Sequence, residues 1–123
     1  MSMTDTKFLD SSVWLSYYFA DSKVAKDIIE GDRMILTSSL CLFEIKKRLL
    51  RLKKDFKDII TFIKKRSAIC IPSILIAEKA AELAVEHDLG SMDSLIYASA
   101  VLSDAELVTG DNDFRGLEKV NLL

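Results

Sequence analysis

The run Lys7-Phe8-Leu9-Asp10-Ser11-Ser12-Val13-Trp14-Leu15 constrains this chain more than any other stretch. A short apolar segment ends in a carboxylate, passes two small hydroxyl residues and resumes an apolar pattern suited to a helix. This predicts a buried central strand whose last residue, Asp10, emerges at the strand's carboxyl end, the edge where open α/β sheets bind ligands. A charge there is costly unless it is hydrogen-bonded or holds a cation. Asp10 therefore has two readings: an N-cap for a helix beginning near Val13, a job Ser12 could also do, or a member of a site.

The rest of the chain alternates short apolar runs with longer periodic ones. Val13 to Phe19 predicts a short helix, and Asp21 and Ser22 offer caps for a second that Gly31 stops. Arg33 to Leu36 reads as a strand running into the helix-starting hydroxyls Thr37-Ser38-Ser39. A helix follows from Leu40 into the Lys53 region, with Leu42, Ile45, Leu49 and Leu52 on one face, then another from Asp55 to Arg66 with the stripe Phe56, Ile59, Ile60 and Ile63. Ala68 to Ile71 is a third strand closed by Pro72. Ser73 caps a long helix with Ile76, Ala80, Leu83 and Ala84 inward, ended by Leu89-Gly90. Asp93 to Leu102 is apolar nearly all round, the pattern of a buried helix. Glu106 to Thr109 is a fourth strand, Asn112 to Gly116 a turn or short helical piece, and Val120 to Leu123 a last strand. The alternation implies one domain over residues 1–123, an α/β/α sandwich around a central, mainly parallel sheet of about five strands. With 123 residues, half of them apolar, a continuous core is within reach.

A net charge of −2 argues against coating nucleic acid by bulk charge. Cys41 and Cys70 lie in apolar surroundings without disulfide or zinc spacing, and read as buried reduced thiols. Met1 to Thr6 is polar and carries Asp5, so no secretory signal is expected there. No apolar run approaches the roughly 20 residues of a membrane helix. A cytoplasmic protein without a membrane partner is the expectation.

Function turns on the acids. Glu44 has a plain explanation as an i,i+4 partner of Arg48, and Asp93 as a first-turn acid favoured by the helix dipole. Asp111 and Asp113 flank a turn. What those explanations leave out is shared position: strand ends and helix starts fall at the same edge when crossovers are right-handed. Converging carboxylates repel, and a hard divalent cation, Mg2+ or Mn2+, relieves that repulsion with oxygen ligands alone. The single histidine, His87, is expected at the surface of a polar helix.

These residues resemble a known family. Phe8-Leu9-Asp10-Ser11-Ser12-Val13-Trp14 is similar to the opening of PIN domains, and Thr37-Ser38 through Phe43-Glu44 to their second motif. Gly90-Ser91-Met92-Asp93-Ser94-Leu95-Ile96-Tyr97-Ala98 resembles the third, with Ser94 where the family commonly has alanine. Val108-Thr109-Gly110-Asp111-Asn112-Asp113-Phe114 resembles the T-x-D-x-D-F ending. The length is similar to that of VapC toxins of toxin–antitoxin pairs. The resemblance implies a metal-dependent endoribonuclease in which Asp10, Glu44, Asp93 and Asp111 are catalytic and hold one or two Mg2+ or Mn2+ ions. Asp113 is a further contributor to the metal, and Ser12 and Thr109 orient carboxylates or waters. It also implies a homodimer and a small antitoxin whose segment enters the groove by the acids.

Ten of the seventeen basic residues lie between Lys46 and Arg66. A basic arm including Lys46, Lys47, Arg51, Lys53 and Lys54 is expected to bind an RNA backbone, against the alternative of solvated helix faces. Within that stretch only Phe56 and Phe62 offer aromatic rings. Phe56, Ile59 and Phe62 would feed a dimer interface or close the domain's own core. A haloacid dehalogenase type of enzyme needs an acid where Ser12 stands, and a receiver domain needs paired acids after the first strand and a late lysine. A non-catalytic PIN-like binding module remains the alternative.

Overall fold

The computed structural model describes residues 5–123; the reading of residues 1–4 as free of a signal segment lies outside them. Five strands run in parallel: β1 (Lys7–Leu9), β2 (Ile35–Ser38), β3 (Ala68–Cys70), β4 (Glu106–Thr109) and β5 (Val120–Leu122), in the order β3-β2-β1-β4-β5. Six helices connect them: α1 (Ser11–Tyr18), α2 (Lys23–Glu30), α3 (Ser39–Arg51), α4 (Lys57–Arg66), α5 (Ile74–His87) and α6 (Ser91–Leu102). The sheet is parallel throughout. Side-chain alternation along the strands divides the core into two layers. Leu9 and Val108 pack beneath the side carrying Trp14, Ala25, Ile29, Ile45, Leu49 and Ile63 from the first four helices. Phe8 and Leu107 face the opposite side, against Ile76, Ala80 and Leu83 of α5 and Ile96, Tyr97 and Ala100 of α6. Both faces are covered, which is why the strands read as apolar runs.

Several element boundaries differ from the sequence expectation, each for a local reason. α1 starts at Ser11 because the Asp10 carboxylate accepts the Ser11 N–H directly. β2 begins at Ile35 and runs through Thr37 and Ser38, two hydroxyl residues expected to start the next helix. Thr37 fits a buried strand because its Oγ1 donates to the Leu9 carbonyl at 2.7 Å and accepts from Trp14 Nε1 at 3.2 Å, while Ser38 caps α3 through Leu40 N–H. On α3 the inward residues are Cys41, Ile45 and Leu49; Leu52 is exposed, sitting at the C-cap beyond the last turn. α4 starts at Lys57 after Asp55 accepts the Lys57 N–H, and Ile71 falls outside β3 and is exposed. α5 stops at Asp88, whose φ of +55° is a left-handed terminator that aspartate tolerates, so Gly90 serves as the N-cap of α6 instead. His87 is half-buried edge-on to the Tyr97 ring, 6.1 Å between centroids, not free at the surface. Cys41 is fully buried as expected, whereas Cys70, on edge strand β3, is only half-buried; both are free thiols. Ile59 is buried and Phe56 and Phe62 half-buried against this core, so they close the domain. Among the described residues no helix is long and apolar enough to cross a membrane.

Strand order places the site. The chain moves outward from β1 to β2 and β3, then crosses back to lay β4 on the other side of β1. The carboxyl ends of β1 and β4 therefore flank the point where the winding direction reverses, the crevice position in this class of sheet.

Candidate functional site

Four elements deliver acids to that crevice. Asp10 directly follows β1, Glu44 lies in the second turn of α3, Asp93 is the third residue of α6, and Asp111 follows β4 by one residue. Asp10, Glu44 and Cys41 can place one carboxylate oxygen each and the thiol sulfur within 4.8 Å of one another, and Asp93, Asp111 and Asp113 do the same with carboxylate oxygens. Asp10 is 7 % exposed, Glu44, Asp93 and Asp111 are half-buried and Asp113 is exposed. All five expected acids thus come to one edge, in two adjoining groups.

A hydroxyl scaffold fixes the deepest of them. Asp10 Oδ1 accepts the Ser11 N–H at 2.8 Å, and its Oδ2 accepts from Thr109 Oγ1 at 2.7 Å and Ser12 Oγ at 3.3 Å. Thr109 Oγ1 in turn accepts the Asp111 N–H at 3.0 Å, and Ser12 Oγ accepts the Gly110 N–H at 2.9 Å. Two side chains therefore tie the end of β4 to the start of α1 through the Asp10 carboxylate. Asp111 Oδ1 caps the 3₁₀ turn Asn112–Phe114 by accepting the Asp113 N–H. Ser11 Oγ reaches Glu44 Oε1 at 3.1 Å, a link the sequence reading did not anticipate; the only available signal was its place beside Asp10. Asp10 is an N-cap and a member of the acid group at once. Among the described residues Glu44 forms no ion pair with Arg48.

Electrostatics follow from this crowding. Burial pushes the Asp10 carboxyl above its ordinary range, opposed by the Thr109 and Ser11 hydrogen bonds and reinforced by Asp111. Burial likewise raises Glu44, with the Asp10 charge adding to it and Ser11 and Lys47 opposing. Asp93 is pushed up to about 6, by burial first and then by the charges of Asp111, Asp10, Asp113 and Glu44. Acids from four separate elements therefore sense one another, and the common remedy for such a cluster is a cation. Cys41 is the exception in donor type. Burial, then the Asp10 charge, drives its thiol up to about 12, and its Sγ points at the Leu9 carbonyl at 3.8 Å. Apart from it the donors are all carboxylate oxygens, a set suited to a hard divalent ion.

A family model described as the PIN domain matches residues 7–120, nearly the whole chain. The chain belongs to the PIN domain family. No curated protein matches it. Among solved structures, a toxin–antitoxin complex from Klebsiella pneumoniae is similar at a TM-score of 0.78 and 23 % identity, over 94 % of this chain and 95 % of that one. A VapBC complex of Rickettsia felis, bound to a DNA fragment from its promoter, aligns at 0.75 and 20 %, over 96 % and 97 % of the two chains. A VapC of Mycobacterium tuberculosis, described as a sarcin-ricin loop cleaving toxin, aligns at 0.71 and 19 %, over 91 % and 95 %. At these identities the likeness establishes the fold.

In this PIN domain basic residues are spread along α3 and past its end. Lys46 and Lys47 lie within a turn of Glu44, and Lys47 is near enough to bear on its charge. Lys53 and Lys54 follow the end of α3, about 13 Å or more along the helix axis from Glu44. Arg51 sits between these groups, in the last turn. Arg66 is occupied elsewhere: its guanidinium donates to the carbonyls of Ile29, Gly31 and Arg33. A concavity of about 860 Å³ lies between α1, α2 and α4, floored by Tyr17, Tyr18, Ile59 and Phe62 and lined by none of the five acids. A second, about 340 Å³, shares Asp21 and Ser22 with it and reaches Ser12 and Gly110 beside Asp10.

Proposed function

We propose that this PIN domain is a Mg2+- or Mn2+-dependent endoribonuclease and the toxin of a VapBC-type pair. The observation that carries the reading is the convergence of Asp10, Glu44, Asp93 and Asp111 on one edge, with Asp93 pushed up to about 6 by burial and then by the charges of its neighbours. Asp10, Glu44, Asp93 and Asp111 would hold the cation, with Asp113 at the exposed margin. A bound divalent ion supplies Lewis-acid charge to a phosphodiester and acidifies an attacking water. The chain's own residues supply the rest. Thr109 and Ser12 hold the Asp10 carboxylate in a single orientation, Ser11 anchors Glu44, and Asp111 is fixed through its backbone to Thr109. Lys46 and Lys47 offer positive charge at the mouth, and Arg51, Lys53 and Lys54 extend it along α3 for the RNA backbone.

Cytoplasmic residence is supported by the two free thiols. The similarity to toxin–antitoxin complexes supports a small antitoxin as partner. Two concavities with Asp21 and Ser22 in common, one floored by Tyr17 and Phe62 and the other reaching Ser12 and Gly110, suit a segment that ends beside the acids. A homodimer is supported by exposed Ile71, Ile74 and Leu75 after edge strand β3, an apolar surface that solvent disfavours.

The test is cleavage of RNA by the parent, Asp10→Asn and Asp93→Asn proteins in Mg2+ and in EDTA. The parent is expected to cut, with activity lost in EDTA and reduced by about 100-fold or more in each variant, a ΔΔG‡ of about 3 kcal/mol. Variants as fast as the parent, or cleavage indifferent to EDTA, would refute the mechanism.

A further inference from the structure

Phe43 stands out among the side chains that neither the core nor the acid group uses. Its ring is aromatic, on a helix that also carries Glu44, and 56 % exposed. It immediately precedes Glu44 on α3, and one cation, Lys47, bears on both residues. The Lys47 ammonium lies over one face, 5.1 Å from the ring centroid, one helical turn along on the same surface. Lys47 is also close enough to Glu44 to offset part of that carboxylate's proton affinity. An exposed aromatic ring and a carboxylate of the acid group therefore share one cation, Lys47, within two turns of one helix.

We propose that Phe43 is a stacking platform for a nucleobase of a single-stranded RNA substrate, flanking the phosphate that enters the acid crevice, with Lys47 contacting the adjoining backbone. The inference rests on the nuclease reading above and deepens it by assigning a base-binding position. Single-stranded nucleic acid is held by this combination of flat ring and nearby cation, because every base offers a π-face and every linkage a phosphate. Charge complementarity selects RNA over an apolar protein surface as the occupant: the ring carries Lys47 and is followed on α3 by Arg51. The two rings among residues 46–66, Phe56 and Phe62, pack against the core. Phe56 carries its own cation, Lys46 at 4.7 Å, but is half-buried, leaving less of its ring to stack upon.

The experiment compares binding of two fluorescein-labelled 12-nucleotide single-stranded RNAs, one ordinary and one with abasic sites replacing the central bases, to the full chain in Ca2+. Parent, Phe43→Ala, Phe43→Trp and Lys47→Ala proteins are titrated at several salt concentrations. Phe43→Ala is expected to lose about tenfold in affinity for ordinary RNA. It should lose almost nothing further when the bases are removed, whereas the parent loses about tenfold on base removal. Phe43→Trp should retain parental binding, and Lys47→Ala should reduce the salt slope by about one phosphate contact. Equal sensitivity of parent and Phe43→Ala to base removal overturns the platform while leaving the nuclease reading intact. A parent that binds neither RNA overturns both. Light scattering is run in parallel, and a change of molecular mass in Phe43→Ala assigns the ring to a contact between copies and also overturns the platform.

Discussion

At the scale of single residues, Thr109 shows how much depends on one hydroxyl. Fully buried, it donates to Asp10 Oδ2 and accepts the Asp111 N–H, so it aligns two candidate ligands at once. Thr109→Val preserves volume but leaves Asp10 without its shortest partner. It is expected to weaken Mn2+ binding roughly 10- to 100-fold with little change in far-UV circular dichroism, as outer partners of metal ligands do. Calorimetric titration with Mn2+ checks this, and parental affinity would remove Thr109 from the scaffold. Asp93 carries the pH dependence. Its carboxyl is pushed from 3.8 up to about 6 in the fold, so the native chain binds that proton more tightly than the unfolded chain does. The stabilisation is present below about pH 4 and disappears as pH rises through about 6. Without metal, Asp93→Asn is therefore expected to melt at a higher temperature than the parent at pH 7.5, with the gap closing towards pH 4. Mg2+ should narrow the gap from the parent's side. A difference that stays flat from pH 4 to 7.5 would argue that neither burial nor the neighbouring acids raise the Asp93 carboxyl.

Among the elements, the junction of α2, α4 and β2 is held by Arg66. One of the ten basic residues between Lys46 and Arg66, it donates to Ile29 O at 2.6 Å, Gly31 O at 3.0 Å and Arg33 O at 3.0 Å, satisfying carbonyls where α2 stops. Arg66→Ala is expected to cost about 2 kcal/mol, read from the urea midpoint, because charged donors to otherwise open carbonyls are worth more than neutral ones. Arg66→Lys should recover only part, since one ammonium cannot span three acceptors as a planar fork does. A loss below the error of the measurement would mean that water replaces the clasp. β2 offers the converse lesson. Thr37 and Ser38 look like the start of a helix in sequence, but Trp14 and the Leu9 carbonyl satisfy Thr37 inside the sheet. Local propensity lost to a tertiary hydrogen-bond network.

For the molecule as a whole, exposed Ile71, Ile74 and Leu75 form the apolar surface beside β3, and the dimer prediction belongs there. Ile74→Glu is expected to convert a dimer to a monomer by light scattering at micromolar concentration, with the thermal unfolding of the isolated fold little changed; a parent already monomeric would end that reading. How much of this architecture the amino-acid order settles can be traced element by element. Phe8-Leu9, Leu107-Val108 and the stripes of α3 to α5 encode strands and amphipathic helices because burial on one face leaves a period of 2 or 3.6 that neighbours along the chain display. The alternation of those elements implies a parallel sheet, and the acids at strand ends and helix starts share an edge for the same reason. Tertiary structure alone settles what depends on residues distant in sequence. Thr109 meets Asp10, Ser11 meets Glu44, Arg66 turns inward to α2, and Phe43 stays outside beside Lys47. Those outcomes are set by the reversal of winding between β1 and β4 and by competition for unpaired backbone groups, and neither leaves a periodic trace in a linear chain.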